Sequence, residues 1–215
     1  MNGDQPCFGE IDFPDGRSSV VEEGVDGKRL LGRAKFAVIP NDASAKEIVK
    51  LLELSWGVKR PGALFSVAGG VMNLKLHTVL AQVLTRGLAE AASIADGLIT
   101  TAGVDAGVMR LIGVGLNKAN STAACIGIVP WRVLDETLRE DLKGDSSQPI
   151  TVEPGHDSIT LEPHHTHFLL VNNPLGENLP GHSGRESARG RRGGEMGRDG
   201  VGRCKAVRRG GVGWG

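Results

Sequence analysis

The feature that most restricts the fold of this chain is a repeated alternation of short apolar runs with segments of helical spacing. The runs are largely continuous, which is typical of strands covered on both faces, and they occupy residues 34–39, 63–68, 98–101, 123–129 and 167–171. Segments with helical periodicity lie between several of them, at residues 44–55, 74–95 and 107–117. Strands that alternate with helices predict right-handed βαβ units. We therefore expect an α/β, Rossmann-like fold whose parallel sheet has helices on both faces.

Local signals refine two of the predicted helices. Ser44 and Glu47 form the S-x-x-E pattern of a capping box, and Gly57 is the stop signal of the same helix. In the second helix, Gly87 costs about 1 kcal/mol relative to alanine, so we expect it to be explained by close packing on the sheet. The apolar face of that helix comprises Leu76, Leu80, Val83, Leu84, Leu88 and Ala91.

Composition divides the chain into three parts. Residues 1–33 form a weakly patterned N-terminal extension, residues 34–175 carry the α/β pattern, and residues 176–215 are rich in glycine and arginine. The formal net charge of zero conceals about +5 in the tail and about −5 in the remainder. Since the tail has no apolar period, we expect it to be disordered. An extension without a role is favoured over non-specific binding of RNA or phosphate, and sequence-specific nucleic-acid binding is not expected.

Small residues cluster where three predicted strands end. In a parallel α/β sheet, ligands bind outside the carboxyl ends of the strands, where glycines let the backbone approach a phosphate at the start of a helix. The residues that we expect to contact the phosphates or ribose of a ligand are Ala68, Gly69, Gly70, Asn73, Thr101, Gly103, Asp105, Gly107, Pro130 and Trp131. For Asp105, helix capping is favoured over a bond to a ribose hydroxyl. For Trp131, packing is favoured over stacking on a base.

Patterns that would indicate other chemistry are weak or missing. No G-x-G-x-x-G follows the first strand, and no P-loop occurs. The run His164-His165-Thr166-His167 has no further ligand in metal-binding spacing, so a loop leading into a strand is favoured over a metal site. Ser66 lacks the G-x-S-x-G elbow of a hydrolase. No catalytic residues are assigned, and no signal peptide or stretch of 18 apolar residues is present.

Six short motifs, in order along residues 6–175, resemble the N-terminal homology region of melastatin-type TRP (TRPM) cation channels. The resemblance covers CFGEIDFP at residues 7–14, the L-L-x-x-x-W-G segment at 51–57, FSVAGG at 65–70, TAGVDAGVM at 101–109, IGIVPWRV at 126–133 and HTHFLLV at 165–171. Two positions depart from the family pattern, since Ala68 replaces a threonine and Ala102 replaces a glycine.

The resemblance implies a SLOG-type Rossmann-like domain that is incomplete on its C-terminal side. It implies binding of ADP-ribose or a related nucleotide, with no cofactor or metal, in a cytoplasmic domain that assembles with channel subunits. Such channels are tetramers of the plasma membrane, and some pass calcium. One alternative is a SLOG-type nucleotide hydrolase, although the P-G-G-x-G-T-x-x-E motif of those enzymes is missing and we expect no enzyme activity. The other is a non-binding structural fragment that needs a partner to cover its exposed sheet edge.

Overall fold

A computed structural model describes residues 7–14, 32–69, 76–143, 148–152 and 159–172 of the chain. Its strands are β1 (Phe8–Phe13), β2 (Gly32–Pro40), β3 (Leu64–Ser66), β4 (Leu98–Thr101), β5 (Cys125–Pro130), β6 (Ile150–Thr151) and β7 (His167–Asn172). Its helices are α1 (Ala45–Lys50), α2 (Thr78–Ile94), α3 (Gly107–Lys118) and α4 (Glu136–Leu142). A π-helical turn, Leu51–Ser55, extends α1, and a short 3₁₀ turn, Trp131–Val133, follows β5.

The seven strands form one sheet in the order β3-β4-β5-β7-β2-β1-β6. All neighbouring pairs are parallel except β1 with β2, so the predicted α/β, Rossmann-like class with a parallel sheet is confirmed. Strand β1 lies within the segment interpreted as an N-terminal extension, where the sequence pattern gave no strand signal. The antiparallel pairing joins that segment to the domain, because β1 pairs along its whole length, from Phe8 to Phe13, with Gly32–Ala37 of β2.

Helices cover both faces of the sheet, as predicted. The larger core, formed with α2, α3 and α4, receives Phe168 and Leu170 from β7. The smaller core, formed with α1 and its π-helical extension, receives Leu169 from the same strand and Trp56 from the loop that follows. Successive side chains of a strand point to opposite faces, so a continuous apolar run such as that in β7 supplies both cores.

The capping box predicted for the first helix is confirmed. The Ser44 side chain accepts a hydrogen bond from the Glu47 backbone N–H, and the Glu47 carboxylate accepts one from the Ser44 backbone N–H. The hydrogen bonds to Ser44 lower the pKa of Glu47. Gly57 then follows the helical segment with φ +67°, a conformation that disfavours residues with a β-carbon.

The explanation predicted for Gly87 is wrong. Gly87 is exposed, and a β-carbon added to it would meet nothing within 4 Å. Helix α2 instead buries Ala89 and Ala92 and contacts α3 where Thr85 lies against Gly115. Four apolar side chains of α2, which we call the α2 apolar face, are left 41 to 64% exposed: Val79, Leu80, Val83 and Leu84.

Several predictions fall outside the described residues. These include the disorder predicted for residues 176–215 and the proposed contacts of Gly70 and Asn73. Within the described residues, none of the helices combines the length and the apolar character needed to cross a membrane.

Candidate functional site

The carboxyl ends of β3, β4 and β5 meet at one edge of the sheet. Ser66 is in register with Thr100, and Thr101 is in register with Gly127, so the segments that follow these strands emerge side by side. The segment after β4 touches β5 directly. A β-carbon on Gly103 would lie 2.6 Å from the Gly127 α-carbon, and Gly103 adopts φ +70°. Both the space and the backbone conformation therefore require glycine at position 103.

The residues after β3 lie against the start of α3. Ala68 and Gly69 are exposed, and a β-carbon on Gly69 would lie 2.8 Å from Val108 Cγ1. The structure thus brings the first predicted loop and the first turn of α3 together through these described residues.

Asp105 does not cap α3, so the favoured capping interpretation is wrong. The N-cap is Ala106, which makes no side-chain cap bond, and Gly107 opens the helix with φ +52°. Asp105 instead accepts two hydrogen bonds from Arg110, from Nε to Oδ1 at 2.6 Å and from Nη2 to Oδ2 at 2.9 Å. Arg110 Nη2 also donates to the Asp105 backbone carbonyl at 2.7 Å. Both carboxylate oxygens of Asp105 therefore accept hydrogen bonds from the Arg110 guanidinium.

Trp131 belongs to the buried core, as the packing interpretation expected. Its side chain is among those of the larger core, and the residue is 7% exposed. Pro130 is half-buried at the end of β5, where its backbone leads into the 3₁₀ turn. Trp131 was one of the ten residues predicted to contact a ligand, and its ring lies inside the protein.

A chain of short hydrogen bonds lies beneath the loop that follows β4. His165 Nδ1 is 2.6 Å from Glu162 Oε2, and His165 Nε2 is 2.6 Å from Thr101 Oγ1. The same Thr101 hydroxyl oxygen accepts a hydrogen bond from the Gly103 backbone N–H at 2.8 Å. His164 Nδ1 lies 2.8 Å from the other carboxylate oxygen of Glu162. Since Thr101 is buried and its hydroxyl is engaged in this way, we assign it to the support of the loop.

The interactions within this cluster favour the charged forms of Glu162 and His165. Burial opposes the ionisation of Glu162, but hydrogen bonds from His164 and His165 outweigh it and lower the pKa of the carboxyl. Burial likewise opposes the charged form of His165, but its interactions with Cys125 and with the Glu162 carboxylate raise its pKa to about 10. A protonated His165 donates from both ring nitrogens, to Glu162 and to Thr101.

The segment before β7 is tied to the loop after β4 by its backbone as well. Glu162 N–H donates to the Gly103 carbonyl at 3.0 Å, and Asp105 N–H donates to the Thr160 carbonyl at 2.8 Å. The Glu162 carboxylate packs on α3 at Gly113, where an added β-carbon would overlap it. The buried Glu162 carboxylate therefore requires glycine at position 113, and the contact between them places the cluster against α3.

The histidine run leads from a loop into β7, as the favoured interpretation predicted. His165 belongs to the cluster just described, whereas His167 begins β7 and packs on Trp56, with ring centroids 4.9 Å apart. Burial, reinforced by the positive charge of Lys35, lowers the pKa of His167 to about 4. Among the described residues, no group of three or more His, Cys, Asp or Glu has the arrangement of a metal site.

Sequence reasoning missed Glu162 and Arg110. Glu162 lies in a segment without apolar periodicity, and its role becomes visible only when β7 is placed beside β5. A glycine inside a helix, at position 113, was the available signal that a bulky group packs there. Arg110 was not predicted as a site residue, because a cation in the first turn of a helix is disfavoured by the helix dipole and is not expected there.

Comparison with known proteins agrees with this architecture. A family model described as SLOG in TRPM matches residues 34–185. The chain is 34% identical over 146 residues to transient receptor potential cation channel subfamily M member 7 of Homo sapiens, covering 65% of this chain and 8% of the relative. It is 31% identical over 173 residues to a transient receptor potential channel of Caenorhabditis elegans, covering 78% of this chain and 8% of the relative.

A third relative, subfamily M member-like 2 of Nematostella vectensis, is 29% identical over 175 residues, covering 77% of this chain and 10% of the relative. The chain thus spans about a tenth of the length of the relatives that it matches. The mostly parallel sheet with helices on both faces agrees with the Rossmann-like fold expected of such a domain. The chain belongs to the SLOG family of TRPM channels.

Proposed function

We propose that this chain is a ligand-sensing module that binds ADP-ribose or a related nucleotide at the carboxyl edge of β3, β4 and β5. The observation that carries the proposal is the meeting of the carboxyl ends of three parallel strands at one edge of the sheet, where the exposed Gly69 lies against Val108 in the first turn of α3. The free amides at the start of a helix attract a phosphate. The family suggests that ligand binding would regulate a calcium-permeable cation channel from its cytoplasmic side.

Arg110 supplies the positive charge that a phosphate ligand requires. Its side chain is 58% exposed in the first turn of α3, and the hydrogen bond to Asp105 raises its pKa, so it stays charged. In the structure, this guanidinium donates a hydrogen bond to Asp105, which lies in the loop before α3. A phosphate at the start of α3 would meet the outer N–H groups of the same guanidinium, which favours a charge-assisted, directional contact.

The proposal is tested by calorimetry of the full chain with ADP-ribose. We expect saturable binding, weakened about tenfold by Arg110→Gln because one charge-assisted hydrogen bond contributes about 1.5–3 kcal/mol. Arg86→Gln is the matched control. Arg86 is also exposed and paired with an acidic residue, Glu90, but it lies in α2 rather than in the first turn of α3.

The absence of any binding heat or spectral change with ADP-ribose, AMP or NAD, in a chain shown to be folded, would remove the nucleotide assignment. Release of free base or ribose phosphate during the same experiment would favour the hydrolase alternative instead. Equal loss of affinity in both arginine variants would point to non-specific attraction of the phosphates.

A docking module is the second candidate function, and the α2 apolar face favours it. Among the described strands, β3 is the outermost on one side of the sheet, and its Leu64 is also 64% exposed. Exposed apolar side chains of this kind favour contact with another protein surface, here a second copy of the chain. We expect the double change Leu80→Ser and Val83→Ser to reduce self-association of the full chain in size-exclusion chromatography without altering ADP-ribose affinity. Unchanged association would count against this second function.

A further inference from the structure

We propose that Glu162, His165 and Thr101 form a positioning relay that sets the conformation of the turn at Gly103. The inference rests on the proposed function in one respect, because that turn is part of the proposed ligand edge. Glu162 and His165 are fully buried and Thr101 is 5% exposed, so these residues act on a ligand only through the turn.

The turn at Gly103 is held by close packing and by hydrogen bonds to both of its polar backbone groups. Gly103 adopts φ +70° and lies directly against Gly127, so the turn packs closely on β5. Its amide is bound by Thr101 Oγ1 at 2.8 Å, and its carbonyl is bound by the Glu162 amide at 3.0 Å. Both polar groups of Gly103 are therefore anchored to members of the relay.

The relay runs from Glu162 through His165 to Thr101. His165 is held between Glu162 and Thr101 at 2.6 Å on each side, so the imidazole fixes where the Thr101 hydroxyl oxygen lies. A hydroxyl that is held by a ring has little freedom to rotate away from the Gly103 amide. The carboxylate in turn is fixed by two histidines and by its packing on Gly113 of α3. A change at Glu162 should therefore reach Gly103 through the side chain of His165.

Amide hydrogen exchange by NMR, on the full chain without ligand, tests this inference. Thr101→Val keeps the shape of the side chain but removes the hydroxyl, and we expect exchange at the Gly103 amide to accelerate about tenfold. Thr101→Ser restores a hydroxyl and should restore slow exchange. The amide of Leu98, which donates to the Ala63 carbonyl at the opposite end of β4, serves as the control and should not change.

Glu162→Gln tests transmission along the relay and keeps the inference falsifiable if Thr101→Val does not fold. It preserves shape but removes the charge that His165 faces, so Gly103 exchange should also accelerate while Leu98 exchange stays the same. Unchanged Gly103 exchange in a folded Thr101→Val or Glu162→Gln variant would overturn the inference. Failure of Thr101→Ser to rescue would also overturn it.

Titration of the same variants with ADP-ribose separates the inference from the proposed function. If ADP-ribose binds, we expect Thr101→Val to weaken it about tenfold and Thr101→Ser to restore it. Unchanged affinity would overturn the link between the turn and the ligand while leaving the nucleotide assignment in place. If ADP-ribose binds to none of the proteins, the proposed function fails, and accelerated exchange at Gly103 still supports the relay.

Discussion

Replacement of Gly113 by alanine is expected to lower the free energy of unfolding by about 3 kcal/mol, because disrupting a buried charged pair costs about 3–5 kcal/mol. The added methyl would occupy the position of the Glu162 carboxylate, which is fully buried. Displacement of that carboxylate would break its bonds to His164 and His165. Urea denaturation followed by far-UV circular dichroism measures the change.

Gly87→Ala is the matched control for this prediction. Both glycines lie inside helices, but Gly87 is exposed and an added β-carbon would meet nothing. The intrinsic preference of helices for alanine should therefore raise the free energy of unfolding by about 1 kcal/mol. If both changes stabilised the protein equally, Glu162 would not be packed against α3 as described.

Acidification is expected to destabilise the fold through His167. Its pKa is lowered to about 4 in the folded state, below the ordinary value of 6.5, because it is buried beside Lys35. The unfolded chain therefore binds a proton more readily, and the stability gained from the neutral form above pH 6.5 is lost as the pH falls toward 4. From pH 7 to about pH 5, we expect a loss of about 2 kcal/mol from this residue.

His167→Phe should flatten the acidic limb of the stability profile, because an aromatic ring on Trp56 is retained while the titrating group is removed. The alkaline limb has the opposite origin. The pKa of His165 is raised to about 10, so its contribution is complete below pH 6.5 and is lost as the pH rises toward 10. Denaturation midpoints measured across this range should peak near pH 6.5. An acidic limb that is equally steep in His167→Phe would show that other groups dominate it.

The fold was largely predictable because its strands are buried on both faces. A continuous apolar run such as residues 167–171 has few alternatives, and β7 occupies His167–Asn172. Helix α1 was also predictable, because Ser44 and Glu47 form the capping box within the local sequence. Strand β1 was not, because it lies on the outer side of β2 in a segment whose pattern is weak. Pairing between distant strands leaves little local signal.

The candidate site was predictable in its backbone but not in its side chains. Gly103 was predicted to let the backbone approach a phosphate, and the structure gives the glycine a second reason, because its φ is positive and it lies against Gly127. The partner of Asp105 was interpreted wrongly because local capping competes with an arginine five residues away, and only the geometry decides between them. Glu162 lies 61 positions after Thr101 in the sequence, and the two residues are linked in the structure through His165. Its role therefore could not be predicted from local sequence.

The position of β7 has a consequence for the order in which the domain can assemble. The last strand of the described chain lies in the middle of the sheet, between β5 and β2, and pairs with both along its length. Until it inserts, the unit of β3, β4 and β5 and the hairpin-like pair of β1 and β2 have no strand between them. Closing such long loops is slow. On a ribosome, the turn at Gly103 would therefore wait for residues synthesised some sixty positions later before acquiring its final shape.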